Sequence, residues 1–270
     1  MRTSITTDLF NYSYKLALDE KLGLFKKFGF DYIHWCDNWN DDEIYSKDQM
    51  KEYSDLITDH GLTCLDVHGT ATPKLAIDSL EMTGHRGFIK LLENRIQFCH
   101  MVGGDAVVVH PPKVYKANYE KRVHMSKKAL LAVQGLCIDL DVTLAIENCH
   151  RGDHVILRDY FSLYDPEFIG FCFDSGHSNL NNNLDYLMRF SDRLRVTHLH
   201  DNQGLHDDHQ YPGWGTIDWG KVSGWLRDAG YGKPWNLEVA YEPKINDESV
   251  EEYMQKINDS TGLLCDFDSQ

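Results

Sequence analysis

The chain predicts an α/β fold, a single (β/α)8 TIM barrel, and three observations carry that prediction. Eight short apolar or β-branched runs recur along it, each followed by a polar stretch and then a helical pattern. Its 270 residues match one barrel of about 250 residues. No Ser/Pro/Gly-rich linker or low-complexity tract divides it, so 1–270 reads as one domain. Taken in order, the strand runs are RTSIT (2–6), DYIHW (31–35), TCLDVH (63–68), DAVVVH (105–110), VTLAIE (142–147), IGFCFD (169–174), LRVTHLH (194–200) and WNLEVA (235–240). The segments 47–59, 86–101, 122–139 and 217–228 carry apolar residues near i, i+3, i+4 spacing and read as helices between them. The clearest is 86–101, where Phe88, Leu91, Leu92, Ile96, Phe98 and Met101 form a stripe that Gly103 closes. A doubly wound open sheet is the rival, but it usually has fewer strands and a Gly-rich first turn, which this chain lacks.

Composition narrows the class of function. A net charge of −15 disfavours general binding to nucleic acid, whose affinity rests on Lys and Arg contacts to phosphate. No apolar run approaches the roughly 20 residues of a membrane span, and the N-terminus MRTSITTDLF has no apolar signal-peptide core. Seven widely spaced cysteines with no CxxC fit reduced thiols of the cytoplasm rather than a disulfide framework. Those in strand-like runs read as inert core residues.

The polar residues that end these strands form a pattern. His34, His68, His110, Glu147, Asp174, His198 and Glu238 lie on average about 34 residues apart, one β-α unit. A closed barrel brings such positions together on the face where barrel active sites form. Three carboxylates and an imidazole, Glu147, Asp174, Glu238 and His198, suit Mn²⁺, Zn²⁺, Co²⁺ or Mg²⁺. A carboxylate ending an apolar strand costs several kcal/mol to bury unless it is paired or metal-bound, so a purely structural role for Glu147 or Glu238 is the weaker reading. FDSGH adds His177, and HDDHQYPG adds the D-x-H pair Asp207 and His209. His200 lies two residues beyond His198 and therefore on the same side of an extended strand, which leaves open which of the two is a ligand.

Other residues are weighed on blander grounds. His34 serves equally well as a packed core residue or a pocket wall. Trp35 beside it offers one wall of a sugar pocket, though packing is the commoner role for such a ring, as it is for Trp39 and Trp214. His206 reads as a solvated loop residue, His60, His85, His100, His124 and His154 as surface or packing residues, and Asp201 and Asn202 as turn residues or supports for the ligands. HPPKVY supplies Lys113 as a cation near the site, with no Gly-rich phosphate cradle.

The stretches LAIEN, FCFDSGH, THLHDN, DDHQYPGWGTIDW and NLEVA resemble the xylose-isomerase-like TIM-barrel superfamily. That group holds sugar and sugar-phosphate isomerases and epimerases, inosose isomerases and dehydratases, and the endonuclease IV branch of apurinic endonucleases. The resemblance to its ketose 3-epimerase-like members implies one divalent metal on Glu147, Asp174, His198 (or His200) and Glu238. It also implies that the two glutamates move a proton on the carbon beside a carbonyl, and that His177 contacts substrate. Those epimerases tend to carry an arginine after strand seven, where this chain has Asp207-x-His209. The endonuclease IV branch uses that D-x-H for a three-zinc cluster, which would engage His68, His110, Glu147, Asp174, His177, His198, Asp207, His209 and Glu238.

Two functions follow. The favoured one is a divalent-metal-dependent isomerase or epimerase, or a lyase, acting on a small sugar, cyclitol or sugar phosphate. Its catalytic residues would be Glu147 and Glu238, with His34, Trp35, His177 and His200 facing substrate. The alternative is a multi-zinc phosphoester hydrolase; a barrel that keeps metal only for structure or sensing is the least favoured. The cofactor expected is Zn or Mn, one to three ions per chain. The partner expected is a small carbohydrate, with no nucleic acid and no membrane; barrels of this sort often pair, which makes a homodimer compatible with the sequence.

Overall fold

The computed structural model describes residues 2–10, 15–37, 41–70, 72, 75–113, 116–242 and 248–266, apart from the side chains of 263, 265 and 266. Trp39 lies outside the described residues. Eight strands, β1 (Thr3–Thr6), β2 (Tyr32–Trp35), β3 (Thr63–His68), β4 (Ala106–Val109), β5 (Thr143–Glu147), β6 (Ile169–Asp174), β7 (Leu194–His198) and β8 (Trp235–Leu237), form one sheet. The order is β7-β6-β5-β4-β3-β2-β1-β8 and every pairing is parallel. Beyond the last ladder, the Leu199 amide donates to Asn236 O at 2.8 Å and the Glu238 amide to Leu199 O at 3.1 Å. Those bonds draw the ends of β7 and β8 together and bring the sheet close to a full ring, the predicted (β/α)8 barrel.

Helices α1 (Leu18–Lys27), α2 (Lys47–Asp59), α3 (Met82–Met101), α4 (Tyr119–Leu140), α5 (Asp153–Leu163), α6 (Ser175–Asn181), α7 (Leu184–Leu187), α8 (Trp219–Asp228) and α9 (Val250–Asp266) connect or follow the strands. α2 has the bounds its sequence pattern predicts. Its start is set by Ser46, whose hydroxyl accepts from the Gln49 amide while the Gln49 side chain accepts from the Ser46 amide. α3 and α4 begin earlier than their stripes, at Met82 and Tyr119, because their first turns are largely polar and leave no apolar periodicity to read.

Strand alternation places the site. Successive side chains point to opposite faces. Ile33, Val107, Ile146 and Phe171 belong to the large core shared with the helices. Ala106, Val108, Ala145, Cys172 and Val196 pack in a separate small cluster, which fills the barrel interior. Two residues on from Val108, Ala145, Cys172 and Val196 come His110, Glu147, Asp174 and His198. The chemical residues therefore continue the interior rows to the C-terminal mouth.

Candidate metal centre

Glu147, Asp174 and His198 end β5, β6 and β7, and Glu238 follows β8. All four are buried. One ligand atom from each lies within 4.8 Å of the others. His198 Nδ1 sits 3.2 Å from Glu238 Oε2 and 3.7 Å from Glu147 Oε1, yet makes no hydrogen bond. Asp174 is also the N-cap of α6: its Oδ1 accepts from the His177 amide at 2.6 Å, while Oδ2 faces His177 Nδ1 at 3.2 Å and His200 Nε2 at 3.1 Å. Asn148 latches its backbone, with the Asp174 amide donating to Asn148 Oδ1 and Asn148 Nδ2 donating to Asp174 O, both at 2.8 Å. Only glycine fits between Ser175 and His177, since a Cβ on Gly176 would stand 2.0 Å from His200 Cε1.

The remaining predicted donors join the same network. His68 Nδ1 donates to Gly69 O at 2.6 Å, which turns Nε2 toward Glu147 Oε2 at 3.6 Å. His110 Nε2 lies 3.1 Å from that oxygen, and His177 Nδ1 lies 3.2 Å from Glu147 Oε1. The loop between β7 and α8 brings the rest. Asp207 Oδ2 stands 3.1 Å from His177 Nε2 and 3.3 Å from His209 Nε2. His209 Nδ1 donates to Glu238 O at 2.9 Å, and its ring stacks on His200 with centroids 3.9 Å apart. Its backbone has a φ of 47°, a costly conformation for histidine, held by the Ala240 amide donating to His209 O at 2.8 Å. Asp201 secures the loop's return: its carboxylate accepts from the amides of Asn202, Gly213 and Ile217 and from Trp219 Nε1.

The electrostatics are those of a cation-seeking site. Burial pushes Glu147 up, but His110 and His198 outweigh it and hold the carboxyl well below the usual range. Burial likewise works against Asp174, Asp207 and Glu238, and adjacent imidazoles again prevail and keep all three low. Burial lowers the histidines, yet His177 and His198 end well above the ordinary value and His209 is pushed up to about 10 by Asp207. His110 moves the other way, because burial outweighs Glu147.

The donors fit a divalent ion. His68 and His209 each spend Nδ1–H on a backbone carbonyl and present Nε2 to carboxylates, the arrangement of metal-ligating histidines. Glu147 Oε2, His177 Nδ1 and His198 Nδ1 are buried without hydrogen bonds and point into the cluster. A cavity of about 400 Å³ opens over it, lined by His68, His110, Glu147, His177, Asp207, His209 and Glu238 among others.

The residues expected to face substrate separate. His177 lines the cavity; His34, Trp35 and His200 do not. Trp35 is a correction, because it neighbours His34 on an extended strand and so points the other way, packing on Phe98 and Tyr53 with centroids 5.0 and 5.1 Å apart. His34 lies wholly buried beneath the site, its Nδ1 paired with Asp66 and its ring 4.7 Å from that of His198. His200 falls just past the end of β7 and is buried against Asp174 and His209. His206 is exposed, as expected of a loop residue. Asp8, Asp66 and Glu242 were not anticipated. Asp8 and Glu242 line the cavity from beyond β1 and β8, and Asp66, two residues before His68 on β3, had a legible signal in sharing its face.

A family model described as "Xylose isomerase-like TIM barrel" matches residues 22–259. Solved structures share the fold. The apo 3-keto-D-glucoside 4-epimerase YcjR from E. coli is 19% identical with a TM-score of 0.76, covering 98% of each chain. D-psicose 3-epimerase with D-tagatose from Clostridium cellulolyticum H10 is 14% identical with a TM-score of 0.81, again covering 98% of each. The IOLI protein with a binding zinc atom is 20% identical with a TM-score of 0.73 over 98% of each.

Proposed function

Because this chain belongs to the xylose isomerase-like TIM-barrel family, we propose that it is a divalent-metal-dependent isomerase or epimerase of a small sugar or cyclitol, moving a proton on the carbon beside a carbonyl. One observation carries the reading: Glu147 and Glu238 line the same cavity and share His198 between them. Two carboxylates within one small site can remove a proton from carbon and return it. The solved structures support the substrate class, since two of them are sugar epimerases.

Glu147, Asp174, His198 and Glu238 would hold the ion. When bound, it would polarise the substrate carbonyl and lower the acidity barrier of the neighbouring C–H. Glu147, held as a carboxylate by His110 and His198, is in the state a base requires. One glutamate takes the proton from the carbon and so becomes the carboxylic acid of the pair; a proton then returns to the same carbon, or to its neighbour while the hydroxyl proton passes between the two substrate oxygens. His68 Nε2 and His110 Nε2 stand 3.6 and 3.1 Å from Oε2 of Glu147 and flank it on the cavity side. His177 stands at the cavity wall, where a substrate hydroxyl would meet it.

The test is solvent-deuterium exchange. Metal-loaded protein incubated in D2O with a panel of ketoses and inososes should place deuterium beside the carbonyl of at least one, read by mass spectrometry. Glu147→Gln should slow that exchange by about 10²–10⁴-fold while the circular dichroism stays unchanged. Full exchange by Glu147→Gln would remove that residue from proton transfer.

A second reading, a multi-zinc phosphoester hydrolase, is favoured by one feature: Asp207 spans His177 and His209, and His209 reaches toward Glu238. Two or three zinc ions per chain by elemental mass spectrometry, with phosphodiester cleavage, would establish it; one ion per chain with proton exchange would dismiss it.

A further inference from the structure

On the far side of His110 lies a second cavity of about 490 Å³, and the His110 ring lines both. Its walls come from the segments that follow β3, β4 and β5. Lys113 and Lys116 follow β4, and His150 follows β5. No ion pair among the described residues engages either lysine. The acid on this wall, Asp78, is already met by Arg122 Nη1 at 3.4 Å. The cavity therefore carries two uncancelled positive charges in a chain of net charge −15.

Its polar lining has unspent capacity. Thr70 is buried, lines the cavity, and its Oγ1 makes no hydrogen bond. A buried hydroxyl left unmatched is unfavourable, so the geometry favours a polar occupant. The His150 segment is firmly placed, because Asp153 Oδ2 accepts from the amides of Cys149 at 3.0 Å and His150 at 2.5 Å. Paired lysines suit a phosphate, which carries close to two charges at neutral pH. A carboxylate would leave half of that charge unmet.

We infer that this cavity is a subsite for a phosphate monoester on the substrate, so that the protein acts on a phosphorylated sugar or cyclitol; this rests on the proton-transfer function proposed above. The reacting carbon would lie over the carboxylates and the phosphate beyond His110, between Lys113, Lys116 and Thr70.

Calorimetric titration of the metal-loaded protein with inorganic phosphate tests the site without turnover. The unaltered protein should bind phosphate, and Lys113→Ala with Lys116→Ala should bind it at least about tenfold more weakly while keeping its metal content. Thr70→Val should weaken it by less. An unchanged affinity in the double variant would place phosphate on the metal centre and overturn the subsite, as would no binding by the unaltered protein. Acetate binding as tightly as phosphate would make it a carboxylate site instead. A second arm compares a ketose with its phosphate ester in the deuterium-exchange assay: the ester should be preferred, and the preference should collapse in the double variant. Phosphate binding that depends on both lysines, with no exchange on either compound, would retain the subsite and reject the proton-transfer reading.

Discussion

Asp153 is an acid that the fold keeps largely neutral at mild pH. It is wholly buried, and burial pushes its carboxyl up to about 7 against the pull of the His150 and Cys149 amides. In the unfolded chain it ionises near the ordinary 3.8. Between about pH 4 and 7 the native state thus binds a proton that the unfolded state has lost, and stability falls as pH rises through that window. Above about pH 7 the penalty is complete, at most about 4 kcal/mol. Asp153→Asn keeps an oxygen for the two amides and cannot ionise. Its urea midpoint should exceed that of the unaltered protein at pH 8, and the two should converge toward pH 4. Equal midpoints at pH 8 would mean that the two amides stabilise the carboxylate fully.

The loop from His198 to Trp219 is the element that most distinguishes this site. It is held by the Asp201–Gln210 bridge and by His209 on the backbone after β8. A histidine at φ 47° persists only where its surroundings over-determine it, and here the surroundings are the candidate donors. Asp207→Ala with His209→Ala should lower the metal content per chain in elemental analysis; an unchanged content would give the loop to substrate or structure instead. The strands and their terminal donors were legible because both faces of a barrel strand are buried. Long apolar runs then make each terminal His, Asp or Glu conspicuous. Strand period also explains why Glu147, Asp174 and His198 share one face. Asp8 escaped because it sits in a turn two residues beyond β1, past any strand-end register. Trp35 was misplaced because adjacency in an extended strand means opposite faces. The cavity proposed as a phosphate subsite was barely visible, with Lys113 its single sign, since Thr70, Lys116 and His150 come from separate segments that only the closed barrel brings together.

At the scale of the whole molecule, the charge balance argues against a nucleic-acid partner. Acidic residues number 42 against 27 basic ones. Part of that basic minority is locally neutralised, among them Lys21 by Asp37, Lys26 by Asp31, Lys51 by Asp55, Lys221 by Asp185 and Lys233 by Asp105. Duplex binding requires cations spread along many successive phosphates, because each neutralised phosphate adds to the affinity through released counterions. Lys113 and Lys116, in the subsite proposed above, would meet one phosphate rather than a run of them. No helix among the described residues is long and apolar enough to cross a membrane. A duplex carrying an abasic site should accordingly show no mobility shift with micromolar metal-loaded protein at physiological salt. A tight complex that weakens steeply as salt rises would mean that phosphates are being neutralised in number, and the hydrolase reading would then displace the isomerase one.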